Sequence, residues 1–383
     1  MKRLVILTEI ISPYRIPLFN ALAKHGDIRP HVIFLAETDP ALRQWHIYKQ
    51  EIRFSYQVLS SWRRRVGGYN AVLNWGLARA LESARPDVIL CGGYNYLASW
   101  QSLLWARTHS IPFLLWSEST SYDLRAGWAW MEFLKAEFLQ RCDGFVVPGI
   151  SARAYLISRG HKDRCIFTAP NAVDNDLFAH GAETARQNEV QLRRDLDLPQ
   201  KYFLFVGRLV REKGVFDLLS AYAGLDPGLR AAVGLVFVGD GPERLRLEEQ
   251  ARLISPGHVR FAGFVHRDQL AAFYGLAEVL ILPTYTDTWG LVVNEGMACG
   301  LPVVVSRAAG CAADLVRDGW NGKAIISADV PQFSEVMQRL ASRPGLCQTM
   351  GSRSAEHILK YSPRSWCDGI AAVVEQVGVV HSH

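Results

Sequence analysis

Two short segments in the second half of the chain concentrate residues with chemistry to offer. Gly207-Arg208-Leu209-Val210-Arg211-Glu212-Lys213-Gly214 sets three cations behind a glycine that lets the chain turn sharply. An arginine binds two oxygens of a phosphate in one plane and a lysine adds a mobile point charge, so Arg208 and Lys213 suit a pyrophosphate. Each such contact is worth about 1.5–3 kcal/mol and gains weight as negative charge builds on a departing phosphate. The competing reading is a surface turn with solvated charges.

The second segment, Thr284 to Pro302, reads TYTDTWGLVVNEGMACGLP. Leu291–Ala298 has the pattern of a helix beginning near Gly290, and a helix N-terminus offers free amides and a partial positive charge to a phosphate. Asp287 and Glu295 are eight positions apart, about two helical turns, which sets both on one side if Asp287 stands just before the helix. Carboxylates accept hydrogen bonds from the paired hydroxyls of sugars, so one acid suits a ribose and the other a hexose. The plainer alternatives are a helix cap for Asp287 and a buried or paired acid for Glu295.

These loops need strands behind them. Short apolar runs alternate with helical patterns: Leu4–Thr8, His31–Ala36, Asp87–Gly92, Pro112–Ser117, Gly144–Pro148 and Cys165–Ala169. After a polar stretch, roughly 176–200, the rhythm resumes with Tyr202–Gly207, Gly234–Asp240, Val259–Phe264, Val279–Pro283, Pro302–Arg307 and Gly322–Ser327. The layout is that of two doubly wound α/β domains, each with a parallel sheet, and a chain of 383 residues exceeds the size at which a single core usually splits. Ligands bind at the carboxyl ends of strands in such sheets, so two facing domains create a cleft lined by strand-end loops. We expect a first domain over 1–178, a linker region over 179–200, a second domain over 201–360 and a closing helix over 361–383.

Composition narrows the setting. Seven cysteines, with no Cys-x-x-Cys, point to a reducing compartment and against a structural zinc or a disulfide framework. No apolar run is long enough to cross a bilayer, and the N-terminus lacks a signal-peptide cleavage site, so a cytoplasmic protein is expected. The formal charge of +5 is uneven: residues 1–175 carry 21 Lys/Arg against 14 Asp/Glu, and the remainder 21 against 23. Within the basic half, Ser61-Trp62-Arg63-Arg64-Arg65 and the stretch Trp128, Trp130, Phe133, Leu134, Phe138 suit contact of a loop and an amphipathic helix with an anionic membrane surface. The alternative is a solvated loop and a core-facing stripe. A dinucleotide oxidoreductase is poorly supported, because neither first βα turn carries Gly-x-Gly-x-x-Gly.

VGRLVREKG, GDGPE (Gly239–Glu243), FAGFV (Phe261–Val265), the acid-x7-acid segment and MACGLPVV (Met297–Val304) follow one another in an order that resembles the retaining glycosyltransferases of family 4. In the first half, Pro170-Asn171-Ala172-Val173-Asp174 is similar to that family's Pro-Asn-Gly-Val-Asp turn, and Ser151–Leu156 to the helix before it. The resemblance implies the GT-B fold, with two Rossmann-like domains facing across a cleft and a C-terminal helix crossing back to the first. It implies that Gly207, Arg208 and Lys213 hold a donor diphosphate, and that Thr288, Trp289 and the backbone around Gly290, Leu291 and Val292 bind a phosphate. By the same resemblance Glu295 takes the donor ribose, Asp287 the transferred sugar, and Phe264 and Val265 lie beside the nucleobase. Gly239 and Gly241 shape a neighbouring loop.

Three departures bear on specificity. The family's leading Glu is Asp287 here, one methylene shorter, where misplacement by about 1 Å can cost about 100-fold in rate. The glycine-rich loop after strand one is replaced by Ile11-Ser12-Pro13-Tyr14-Arg15-Ile16-Pro17, which assigns Tyr14 and Arg15 to acceptor or diphosphate contact. Glu118 stands where many relatives carry a histidine beside the reacting sugar, as a hydrogen-bond acceptor or an aid to proton removal, unless it pairs with a cation such as Arg125.

The implied reaction moves a sugar from a nucleoside-diphosphate sugar to an acceptor hydroxyl, with Arg208, Lys213, Asp287 and Glu118 as the catalytic set and cations in place of a divalent metal. No cofactor or nucleic-acid partner is expected. A basic first domain with aromatic candidates suits a lipid-linked glycan acceptor, as in bacterial polysaccharide or lipopolysaccharide assembly. A soluble acceptor, a sugar-nucleotide epimerase and a silent nucleotide- or carbohydrate-binding protein are the alternatives.

Overall fold

A computed structural model describes residues 1–38, 45–66, 69–123 and 129–380. The chain divides into two compact units, Met1–Ser119 with Arg125–Ala172 and Pro363–His383, and Thr120–Leu124 with Val173–Ser362.

The first unit holds strands β1 (Lys2–Thr8), β2 (Ile28–Phe34), β3 (Ser55–Val58), β4 (Ser60–Val66), β5 (Tyr69–Trp75), β6 (Val88–Cys91), β7 (Phe113–Trp116), β8 (Gly144–Val147) and β9 (Ile166–Thr168). Seven of them form a parallel sheet in the order β3-β2-β1-β6-β7-β8-β9. Leu4 and Ile6 of β1 face one core, Val5 and Leu7 the other, as the two-residue period of a strand buried on both faces requires. The second of these cores is covered by α2 (Leu77–Ala84), α3 (Leu97–Thr108), α4 (Ala129–Gln140) and α5 (Ile150–Ser158), whereas α1 (Ile16–Ala23) covers the opposite face.

β4 and β5 stand outside the sheet as an antiparallel ribbon. Ser61–Arg65, expected as a loop, is therefore part of a strand. The helical aromatic stripe also divides: Phe138 is buried in the core, while Trp130, Phe133 and Leu134 are exposed. Neither sequence alternative describes that split by itself, and Trp128 and Arg125 lie outside the described residues.

The second unit begins with helices. Residues 179–200, read as a linker region, belong to α6 (Asn175–Gln187) and α7 (Glu189–Asp195) and the turn after them. Asp174 caps α6 by accepting from the Leu177 amide, and small residues let α6 approach its neighbour closely: a Cβ on Gly275 would meet Ala182 Cα at 2.8 Å. The parallel sheet follows in the order β12-β11-β10-β13-β14-β15, built from β10 (Tyr202–Val206), β11 (Gly234–Val238), β12 (Val259–Gly263), β13 (Val279–Leu282), β14 (Val303–Ser306) and β15 (Gly322–Ile325). Every residue of β10, β11, β13 and β14 is buried. Helices α8 (Val215–Ala223), α9 (Pro227–Ala232), α10 (Arg244–Ile254), α11 (Arg267–Gly275), α12 (Leu291–Ala298), α13 (Ala312–Leu315), α14 (Val330–Ala341) and α15 (Pro344–Ile358) complete the unit.

The last helix, α16 (Pro363–Val380), packs on the first unit against α1. Trp366, Ile370, Val373, Val374 and Val377 recur at helical spacing and enter the first core, where the Trp366 ring meets those of Phe19 and Trp116. Each such buried side chain stabilises the fold by roughly 1.5–3 kcal/mol before entropy is counted. Among the described residues no helix is long and apolar enough to cross a membrane. All seven cysteines are free thiols.

Candidate active site

In the second unit the loops after β10, β13 and β14 are bound to one another. Tyr285 N donates to Glu212 O at 2.8 Å, and the Thr284 hydroxyl lies 2.9 Å from the same carbonyl, which ties the Arg208–Gly214 loop to the segment beginning at Thr284. Gly214 makes this approach possible: its φ is +66° and a Cβ would sit 2.1 Å from Pro283 O. On the other side, Gly310 N donates to Asp287 O at 2.9 Å and Cys311 N to Trp289 O at 3.0 Å. Gly207 and Gly239 touch backbone to backbone, and Gly241 lies on Leu209, so the GDGP turn supports the cationic loop from below.

This scaffold brings Lys213 and Asp287 together: Nζ donates to Oδ2 at 2.5 Å with both side chains about one-fifth exposed. Asp287 Oδ1 also accepts from Trp289 N at 3.3 Å. Asp287 does not cap the helix, because the residue before α12 is Gly290 with φ +98°, beyond the reach of most side-chain-bearing residues. Arg208 is exposed and makes no side-chain hydrogen bond or ion pair among the described residues. The amides of Leu291 and Val292 have no backbone acceptor there either, as the first turn of a helix requires, and both residues are half-buried. A free guanidinium, an ammonium held by one carboxylate and open first-turn amides are what a diphosphate binds.

Glu295 is placed differently from the sequence expectation of two acids presented alike. It is 1% exposed, on the face of α12 that meets α11, and Oε2 accepts from the Tyr274 hydroxyl at 2.6 Å. Oε1 is buried with no hydrogen-bond partner. Burial pushes its carboxyl up to about 8, with the Tyr274 bond working against the shift. Glu295 is thus the buried, paired acid that the sequence allowed as an alternative, with one oxygen that meets no donor among the described residues.

Trp289, grouped by resemblance with the donor contacts, is a buried anchor: it is 2% exposed and its indole N–H donates to Asn294 Oδ1 at 2.8 Å. Thr288 is exposed beside it. Phe264 is exposed, its ring edge-on to His266 at 5.0 Å, and Val265 is half-buried, so Phe264 offers a ring to a base. The two Asp-x-Asp spacings of the chain lie outside these loops: Asp174 caps α6 while Asp197 pairs with Arg260.

The first unit gathers a second polar cluster at its strand ends. The Arg15 guanidinium lies 4.2 Å over the Trp116 ring, donates to Thr8 Oγ1 at 3.0 Å and stands 3.6 Å from Glu118 Oε1. Asn171 Nδ2 donates to that same carboxylate oxygen at 3.1 Å. Glu118 thus pairs with Arg15 and Asn171, two residues singled out for other reasons. Tyr14, half-buried, packs edge-on against Trp45 at 6.2 Å. Sequence reasoning missed Thr8, Trp116, Asn171, Thr284 and Gly310 as site residues, although Thr8 and Trp116 end β1 and β7 and the other three lie in the loops after β9, β13 and β14, the side of the sheet where doubly wound folds bind ligands.

Two family models divide the chain between them: that of glycosyltransferase family 4 matches residues 18–177, and that of the glycosyl transferases group 1 matches residues 188–357. The chain belongs to these families, glycosyltransferase family 4 and the glycosyl transferases group 1. The D-inositol 3-phosphate glycosyltransferase of Streptomyces bingchenggensis is 34% identical to this chain over 182 residues, 45% of this chain and 39% of the relative. The matches span about half the length of such curated relatives. Among solved structures, HepE of Anabaena in complex with UDP and glucose superimposes with a TM-score of 0.76 at 18% identity, covering 98% of this chain and all of that one. The lipopolysaccharide outer core galactosyltransferase WaaB in its apo form gives 0.71 at 14% identity, covering 98% and 99%. These likenesses establish the GT-B fold of the glycosyltransferase.

Proposed function

We propose that this glycosyltransferase moves a sugar, with retention of anomeric configuration, from a nucleoside-diphosphate sugar to a hydroxyl of a lipid-linked glycan at the cytoplasmic face of a bacterial membrane, in polysaccharide or lipopolysaccharide assembly. The observation that carries the donor half is the open cationic seat: among the described residues Arg208 is unpaired, Lys213 is held only by Asp287, and the first-turn amides of α12 are unfilled. HepE, solved with UDP and glucose, supports a uridine donor as the first candidate.

Within this reading the diphosphate draws Lys213 and Arg208 onto its oxygens, which frees Asp287 Oδ2 to accept from a hydroxyl of the transferred sugar. Glu295 Oε1, buried and without a partner, supplies the acceptor for ribose hydroxyls. The anomeric carbon–oxygen bond to the diphosphate breaks as the bond to the acceptor oxygen forms on the same face, and the acceptor proton passes to the leaving phosphate oxygen. No separate base is required. Arg208, Lys213 and the helix N-terminus interact more strongly with the leaving diphosphate than with the intact donor, and that difference lowers the barrier. Because these cations meet the charge, chelation leaves the rate unchanged in this account.

Glu118, oriented by Arg15 and Asn171, holds the acceptor hydroxyl. A soluble phosphorylated cyclitol is a second reading of the acceptor, favoured by what the curated relatives are called. Incubation with labelled nucleotide sugars, lipid extract and D-inositol 3-phosphate, with and without EDTA, tests both. Label in the lipid fraction with the donor's anomeric configuration supports the proposal, label in the cyclitol supports the second reading, and EDTA-sensitive transfer contradicts metal independence.

A further inference from the structure

The two units differ sharply in what they expose. In the second unit, the large apolar side chains that reach solvent are mostly scattered aliphatics such as Leu245 and Leu253, with Tyr122 and Phe264 as isolated aromatics. The first unit exposes aromatic residues in register. Strand β4 pairs with β5 so that Trp62 lies opposite Leu73 and Ser60 opposite Trp75, which puts Trp62, Arg64, Leu73 and Trp75 on one face of the ribbon. Trp62 is 47% and Trp75 57% exposed. Arg64 is exposed and has no ion pair among the described residues. The opposite face holds the ribbon to the unit through buried Val72 and Asn74, whose amide donates to Leu35 O.

Helix α4 repeats the arrangement. Its inner face is fastened by Phe138 against Trp100 of α3 and by Lys135 over the Tyr155 ring of α5. Its outer face carries Trp130, Phe133 and Leu134 at i, i+3 and i+4, with Trp130 60% and Phe133 64% exposed. Arg159 paired to Glu132, and Arg141 paired to Glu137, border that stripe. Because β5 packs on α3 and α3 on α4, ribbon and helix belong to one layer on one side of the sheet.

We propose that this layer of the first unit, through the Trp62–Leu73–Trp75 face of the ribbon and the Trp130–Phe133–Leu134 stripe of α4, docks on an anionic lipid bilayer. The side-chain chemistry favours a bilayer over a protein partner. Tryptophan rings with one polar edge suit the headgroup boundary, and arginine on the same face suits anionic lipid. The basic excess of the chain lies in residues 1–175, 21 Lys/Arg against 14 Asp/Glu, whereas the rest of the chain is slightly acidic. The proposal rests on the membrane-borne acceptor reading only for its purpose, since docking itself needs no transfer.

The test is cosedimentation of the full chain with phosphatidylcholine vesicles, with and without phosphatidylglycerol. Wild-type protein should bind the phosphatidylglycerol vesicles and release in high salt in part. Trp130→Ser/Phe133→Ser and Trp62→Ser/Trp75→Ser should each weaken binding by roughly tenfold or more. Leu245→Ser/Leu253→Ser in the second unit should leave it unchanged. Unaltered thermal unfolding and UDP binding show that each variant is folded. Absence of wild-type binding, binding indifferent to both aromatic pairs, or a dimer that those pairs dissolve would overturn the proposal. Vesicle binding that persists in a protein blind to every nucleoside diphosphate would overturn the transferase reading and leave this one standing.

Discussion

The strand ends of the two sheets are built on different principles. In the second unit, backbone holds backbone: Gly214 against Pro283, Gly239 against Gly207 and Gly310 against Thr288 let three loops share carbonyls and amides, and charged side chains project from that frame. In the first unit, side chains hold side chains: Arg15 lies on Trp116, reaches Thr8 and faces Glu118, which Asn171 also grips. A backbone frame tolerates little change and presents the same donors to any diphosphate. A side-chain cluster is rebuilt by a few substitutions. Under the function proposed above, the difference fits a donor half with one task and an acceptor half that must vary.

The sharpest way to break this contrast is in the donor loop. Arg208→Ala removes a guanidinium with no structural partner, so turnover should fall by about 100- to 1,000-fold, about 2.7–4 kcal/mol, with thermal unfolding unchanged. Equal loss of stability and activity would recast Arg208 as structural. Gly214→Ala attacks the frame: φ is +66° and the Cβ would stand 2.1 Å from a carbonyl oxygen. Denaturant unfolding should show a loss of roughly 2–4 kcal/mol. A stability within experimental error of wild type would show that the loops are not stapled there.

How much of this was legible in the sequence follows the same division. The strands of both sheets other than β3 are readable because they are short apolar runs, of which Tyr202–Val206 is buried throughout; β3 (Ser55–Val58) is missed because it is an exposed edge strand without such a run. The β4–β5 ribbon is not, since Ser60–Val66 is polar and arginine-rich and packs through one face only. The positions of Arg208, Lys213, Asp287 and the α12 terminus are legible as a local pattern. Their partners are not: Lys213 finds Asp287 across 74 residues and Glu295 meets Tyr274 across 21, pairings that depend on which strands are neighbours. Trp289 illustrates the limit, as nothing local distinguishes a ring stacked on a ligand from one buried against Asn294.

Glu295 offers a subtler comparison, between a buried acid of the second unit and the partly exposed Glu118 of the first. Burial pushes its carboxyl up to about 8 in the fold, while the unfolded chain returns it to the ordinary glutamate range. Between those values the folded state binds more protons than the unfolded state, so its contribution lowers stability as pH rises from about 4.5 to about 8 and is constant outside that window. Glu295→Gln should abolish this slope, and chemical unfolding at intervals across that window measures it. Identical pH profiles for variant and wild type would contradict the buried placement.

The smallest expected effect lies in the first unit. Glu118 and Arg15 are each about one-quarter exposed, so Glu118→Gln should change stability by no more than about 1 kcal/mol. It should still raise the acceptor KM or lower kcat, by about tenfold, with nucleotide affinity untouched. A shift in nucleotide affinity instead would place Glu118 on the donor.

The central claim is that the second unit is a seat for a nucleoside diphosphate. Isothermal titration of wild type and Arg208→Ala with UDP, GDP, ADP, CDP and dTDP tests it most directly. The account predicts that at least one of these binds the wild type and binds Arg208→Ala roughly tenfold or more weakly, the loss of one charge-assisted contact. Heat flat for every nucleotide, or equal affinity in the two proteins, would contradict it.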